Sequence, residues 1–162
     1  MQRKYQKLQR VKDKIIMLNV KNLNVGYGSF QALFNIDIDV KAGEAVAVIG
    51  PNGAGKTTLM RAISGLMPVK SGNINMEGTE VTETPSHDIV KLGIAHVPEH
   101  RRLFPRMSVE DNLRMGCYAP QFRANYNKRL EFVYSLFPRM LERRNQLAGT
   151  MSGGEQQMCA IG

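Results

Sequence analysis

Gly50-Pro51-Asn52-Gly53-Ala54-Gly55-Lys56-Thr57 is the stretch on which the fold turns. It matches G-x-x-x-x-G-K-[S/T] at every fixed position and directly follows the aliphatic run at 45–49. A short apolar run without alternation is expected as a parallel strand buried on both faces. After Lys56, the residues Leu59, Ile63 and Leu66 recur at helical spacing until Met67-Pro68, where proline stops the helix. Strand, glycine-rich loop and helix in that order make a phosphate cradle. The glycines let the backbone curl so that N–H groups converge on one point, and the helix N-terminus adds partial positive charge. In such a cradle Lys56 neutralises the β- and γ-phosphates of a nucleotide and Thr57 offers its hydroxyl to Mg2+. With Thr58, residues 50–57 form the expected ATP-binding set.

Working outward, residues 17–23 and 31–40 alternate apolar and polar side chains, and Lys41-Ala42-Gly43-Glu44 reads as a turn. The opening is therefore β-rich. Residues 72–76 look like another strand and residues 94–97 like a further buried one. From Ser108 the character becomes helical. Ser108 with Asp111 resembles a capping box, and Val109, Leu113 and Cys117 share one helical face. A second helix is predicted over 124–137, with Leu130, Val133 and Leu136 inward, before Pro138 interrupts it. There is no internal repeat and no low-complexity segment.

The bulk numbers fit one globular domain: 162 residues, 43% hydrophobic and 22% charged. The longest aliphatic run falls far short of the roughly 20 apolar residues that a spanning helix needs, and no apolar stretch of signal-peptide length follows the basic start. The net charge of +8 is uneven. Residues 1–14 hold six Lys/Arg and one Asp, so most of the basicity is a tail rather than a nucleic-acid-binding surface. Tyr5, Leu8, Val11 and Ile15 would let that tail form a short basic amphipathic helix on anionic lipid; the alternative is a solvated extension upstream of Met17. Cys117 and Cys159 form no CxxC and have no histidine pair nearby, which predicts reduced, buried thiols. His87, His96 and His100 lack partners at metal-ligand spacing and read as structural or surface residues. Tyr27, in Val25-Gly26-Tyr27-Gly28, is an aromatic that could stack on adenine, although a tyrosine at a strand end is usually packing.

Met151-Ser152-Gly153-Gly154-Glu155-Gln156-Gln157 closely resembles the LSGGQ-type signature of ABC ATPases, with Met151 in place of the usual Leu and Glu155 where many members have Gln. Serine and two glycines opening a helix make a second anion-binding end by the same physics as the first. The resemblance covers 17–162 and implies an α/β P-loop NTPase fold. Residues 17–104 correspond to an N-terminal antiparallel β-subdomain with the P-loop core, 105–150 to a helical subdomain facing the membrane subunits, and 151–162 to the signature and the start of its helix. Residues 1–16 remain as an extension.

The resemblance also makes Tyr27 the adenine-stacking aromatic, and Ser152, Gly153, Gly154, Glu155 and Gln156 the trans contact to ATP on a partner cassette. In Val97-Pro98-Glu99-His100-Arg101-Arg102, Glu99 stands where the family usually has a Gln that ligates the metal and senses the membrane domain, so Glu99 joins Thr57 as an implied Mg2+ ligand. The stretch 99–113 looks like the cassettes of branched-chain amino acid importers. The implied partners are a second ATPase subunit and integral membrane permeases, with no nucleic acid, on the cytoplasmic face of the inner membrane. The family's Walker B aspartate, its adjacent water-polarising glutamate and its sensor histidine fall beyond Gly162, so the catalytic set is expected to be incomplete within this sequence.

Overall fold

The computed structural model describes residues 16–162 and divides after His96 into two units. The basic stretch at 1–15, with its candidate amphipathic helix, lies outside the described residues.

In the first unit, β1 (Ile16–Tyr27) and β2 (Phe30–Lys41) form a hairpin closed by Tyr27 opposite Phe30 around the two-residue turn Gly28-Ser29. β3 (Val69–Met76) pairs antiparallel with the other edge of β1, and β4 (Thr79–Glu80) pairs with β3, giving the order β2-β1-β3-β4. The alternation predicted for 17–23 is broken by a register shift between Val20 and Leu23, where Asn22 has a φ of 49°, and so both residues are buried although three positions apart. Val20, Leu23 and Val25 are fully enclosed, with Leu33 and Ile74 beside them. Each such side chain contributes about 1.5–3 kcal/mol on burial. Helix α1 (Lys56–Ile63) lays Leu59, Ala62 and Ile63 on the same core. It is shorter than expected, because Ser64 and Gly65 end it and Leu66 is half exposed. Ser64 turns its hydroxyl back to the Met60 carbonyl at 2.8 Å and meets His96 Nδ1 at 3.2 Å, so His96 has a structural role. A one-turn helix α2 (Ser86–Ile89) completes the unit.

Two expected strands do not form. Residues 45–49 carry no ladder among the described residues, and Ile49 is 92% exposed. Residues 94–97 likewise lack one; Ile94 packs half-buried on the first core while Val97 is exposed. A parallel strand has no hydrogen bonds of its own and exists only against a neighbour. The apolar runs were read correctly as apolar, but pairing is a property of two segments.

The second unit is helical: α3 (Val109–Met115), α4 (Pro120–Arg123), α5 (Tyr126–Leu136), α6 (Pro138–Glu142) and α7 (Gly153–Ile161). Ser108 caps α3 as expected, accepting from the Asp111 N–H at 3.0 Å. Pro138 does more than interrupt; it occupies the first turn of α6, where its missing N–H costs nothing. Val109, Leu113, Met140, Met151 and Cys159 make the core, with Leu130 and Val133 packed against it. Leu136, expected inward, is 56% exposed because α5 ends there and Phe137 turns in instead. Both cysteines are free, Cys159 buried and Cys117 only half-buried. Burial pushes the Cys159 thiol up to about 11.

Asn112 is the polar pin of this unit. Nearly buried, its amide donates to the Phe104 carbonyl at 3.1 Å and the Ser108 carbonyl at 2.9 Å, while its Oδ1 accepts from the Phe104 N–H at 2.8 Å. Truncation strands those backbone groups, so Asn112→Ala is expected to destabilise the chain by about 2–3 kcal/mol. Urea unfolding checks this; a shift below about 0.5 kcal/mol would mean that water replaces the amide without loss.

Candidate functional site

In the first unit the loop 50–55 runs into the N-terminus of α1. Gly53 and Gly55 have φ of +86° and +91°, a region that side chains avoid. At Gly55 the space is also closed, since an added Cβ would lie 2.6 Å from Leu33 Cδ2. Glycine there serves both the curl of the loop and its seating on β2. The Ala54 N–H donates to the Pro51 carbonyl at 3.2 Å, which tightens the turn. Lys56 folds back into the loop, its ammonium donating to the carbonyls of Gly50 and Pro51, each at 2.7 Å. The charge therefore already stands inside the loop, beside a helix N-terminus, where an anion would meet both.

Tyr27 reaches this site from the hairpin end. Its hydroxyl lies 3.2 Å from Thr58 Oγ1, and its ring is half exposed, leaving a face for stacking. Thr58 itself is buried, with its hydroxyl turned to Tyr27, so toward a ligand it offers backbone only. The structure thus brings Tyr27 and residues 50–58 together in one unit.

Glu99 and the residues at 151–157 belong to the second unit. Ser152 is the N-cap of α7 in a full capping box: the Glu155 N–H donates to Ser152 Oγ at 3.4 Å, and Glu155 Oε2 accepts from the Ser152 N–H at 3.0 Å and the Ser152 hydroxyl at 2.8 Å. Ser152, Gly153 and Gly154 are exposed, whereas Gln156 bends back to donate to the Met151 carbonyl at 3.1 Å. The hydrogen bonds from Ser152, with Arg143 and Arg139 close by, hold the Glu155 carboxyl below the usual carboxylate range. With its folded value lowered, Glu155 contributes stability that is fully present above the usual carboxylate range and is lost as pH falls through the lowered folded value. Glu99 stands exposed at the start of a turn in which His100, Arg101 and Arg102 all have positive φ, of 62°, 61° and 50°. Three consecutive left-handed non-glycine residues cost about 1–2 kcal/mol each. The turn sets the Arg101 guanidinium over Gly153, where an added Cβ would lie 3.0 Å from Nη2.

A profile of the ABC transporter family matches residues 33–162. The chain belongs to the ABC transporter family. It is 47% identical over 146 residues to the high-affinity branched-chain amino acid transport ATP-binding protein BraG of Pseudomonas aeruginosa, covering 90% of this chain and 62% of that protein. It is 39% identical to the "Probable branched-chain amino acid transport ATP-binding protein LivF" of Archaeoglobus fulgidus, covering 90% of this chain and 61% of that one. The glutamate/aspartate import ATP-binding protein GltL of Escherichia coli is 36% identical at similar coverage. The chain thus spans about three fifths of the length of these relatives. Among solved structures, the ATP-binding subunit of an ABC transporter superposes with a TM-score of 0.76 at 32% identity, over 90% of this chain and 60% of that one. The fold is therefore that of an ABC ATPase cassette, a P-loop NTPase. Two arginines lie outside the motifs quoted above, Arg139 and Arg143 on Glu155, and Arg101, quoted there without a role, lies over Gly153. All three act across tertiary contacts, so no local spacing announces them.

Proposed function

We propose that the chain is the ATP-binding part of an importer subunit that couples ATP binding and hydrolysis to uptake of branched-chain amino acids. The observation that carries the reading is the folded phosphate loop, with Lys56 drawn onto the Gly50 and Pro51 carbonyls at the N-terminus of α1. In this reading the loop and Lys56 hold the triphosphate, Tyr27 stacks on the base, and Ser152, Gly153 and Gly154 meet nucleotide carried by a second cassette. Residues 17–104, 105–150 and 151–162 serve as the β-rich core, the helical subdomain and the signature. The subunit sits peripherally on the cytoplasmic face of the inner membrane against permease subunits.

Among the described residues no group of three or more His, Cys, Asp or Glu side chains gathers at one place. Mg2+ is usually held by one or two protein oxygens together with nucleotide phosphates and water. Thr57 would hold it on the nucleotide, with Glu99 as the second protein ligand; when bound, the ion neutralises charge on the β- and γ-phosphates. The cargo reading is supported by the names of BraG and LivF and by the stretch at 99–113. Uptake of labelled leucine by cells dependent on this subunit tests it: leucine uptake should vanish when the subunit is removed. Retained leucine uptake with loss of glutamate uptake would redirect the cargo.

Nucleotide binding has a test of its own. Tyr27→Ala is expected to weaken adenine and guanine nucleotides alike by about 1–3 kcal/mol, the range for one stacked base. Tyr27→Phe, which keeps the ring and loses only the contact to Thr58, should bind nearly as wild type. Equal affinity of Tyr27→Ala and wild type would reduce the ring to packing.

A further inference from the structure

Glu155 places a carboxylate within one helical turn of the end that, in the reading above, receives a phosphate. A bare negative charge there would repel it. The carboxylate is divided instead. Oε2 faces Ser152, accepting its N–H at 3.0 Å and its hydroxyl at 2.8 Å. Oε1 faces arginine: Arg143 Nε at 2.8 Å, a charge contact rather than an aligned hydrogen bond, and Arg139 Nη2 at 3.4 Å. The Glu155 side chain is 14% exposed, against 34% for Arg143 and 50% for Arg139, so water reaches these contacts mainly from the arginine side. Arg139 also pairs with Glu142, which leaves Arg143 as the principal counter-charge. Arg143 is itself fixed, donating from Nη1 to Gln146 at 2.6 Å, while Gln146 donates to Thr150 at 2.9 Å.

A serine hydroxyl has one proton to give. In the free chain Ser152 gives it to Glu155, so it can donate to a phosphate only by letting Glu155 go. We propose that Arg143, aided by Arg139, is a positioning residue for nucleotide capture by the Ser152–Gly154 end. It cancels the Glu155 charge toward an incoming phosphate, and it keeps the carboxylate satisfied when the Ser152 hydroxyl turns to the ligand. The inference rests on the reading of Ser152, Gly153 and Gly154 as a trans nucleotide contact.

The experiment follows association of the full-length protein, driven by a non-hydrolysable ATP analogue with Mg2+, by sedimentation velocity. Arg143→Gln should raise the analogue concentration at half-association by about tenfold or more, the loss of one close charge pair. Arg143→Lys, which keeps the charge, should stay within about threefold. The deciding arm is Arg143→Gln combined with Glu155→Gln: with no charge left to cancel, it should return to within about threefold of Glu155→Gln alone, because glutamine still serves a capping box. A merely structural Arg143 would leave the double variant as impaired as Arg143→Gln, and that result overturns the inference. Wild type that never associates with the analogue overturns the trans-contact reading and the inference with it.

Discussion

Lys56→Ala is expected to abolish measurable Mg-ATP binding, a loss of about a hundredfold or more, equivalent to about 3 kcal/mol. In the free chain the ammonium is held 2.7 Å from the carbonyl oxygens of Gly50 and Pro51. Those oxygens are placeholders: phosphate oxygens carry full charge and make stronger, charge-assisted bonds, so nucleotide binding only exchanges acceptors around a cation already in place. Removing it does two things at once. It withdraws the side-chain cation that the loop holds, and it leaves two carbonyl oxygens without that donor where the proposed triphosphate would sit. Lys56→Arg should fail to rescue, because a planar fork cannot occupy the position of a compact ammonium between two carbonyls. Calorimetric titration decides the matter; equal affinity for wild type and Lys56→Ala would remove Lys56 from the site.

The parts of this molecule that were legible in its sequence are those whose signal is local. An N-cap is a local signal, so Ser108 ahead of Asp111 could be seen directly, and the serine–glycine–glycine opening of α7 likewise. The Asp111 carboxylate, however, takes the Ser108 hydroxyl at 2.6 Å rather than closing a capping box on the backbone. The glycine positions of the phosphate loop are equally local, because the left-handed φ at Gly53 and Gly55 is a property of single residues. The hairpin was legible from period-two alternation. What failed depended on partners. Residues 45–49 and 94–97 have the composition of buried strands, but no segment among the described residues pairs with them. Leu66 and Leu136 continue a helical period past the point where Ser64-Gly65 and Phe137 end the helices. The arginines on Glu155 were out of reach for the same reason. Arg143 and Glu155 stand twelve positions apart on different elements, and only the packing of α6 against α7 brings them to 2.8 Å. The family resemblance implies Glu155 and Gln156, with Ser152, as trans contacts to nucleotide; in the free chain both side chains bond to their own chain.

Hydrolysis is where the second large effect is expected. A polypeptide limited to residues 1–162 should release phosphate from ATP at least about a thousandfold more slowly than a chain continued through the strand that the family places after the signature helix, the scale set by losing a positioned general base. An intact phosphate loop and the Ser152–Gly154 end can orient phosphates and stabilise charge, but attack by water also needs a group that takes its proton. Two acids within these residues compete for that part. Glu155 is unsuited to it: one oxygen is given to Ser152 and the other to Arg143 and Arg139, and its depressed proton affinity makes it a poor base. Glu99 is exposed at the head of a turn, and the family resemblance assigns it to the metal as ligand and sensor. Phosphate release should therefore be measured for residues 1–162, their Glu99→Gln variant and the extended chain at equal concentration and saturating Mg-ATP. Turnover by residues 1–162 within about tenfold of the extended chain would refute the requirement for a base outside them. If that turnover then disappeared in Glu99→Gln, the base would be Glu99, and the turn of left-handed residues that follows it would be the device that aims it.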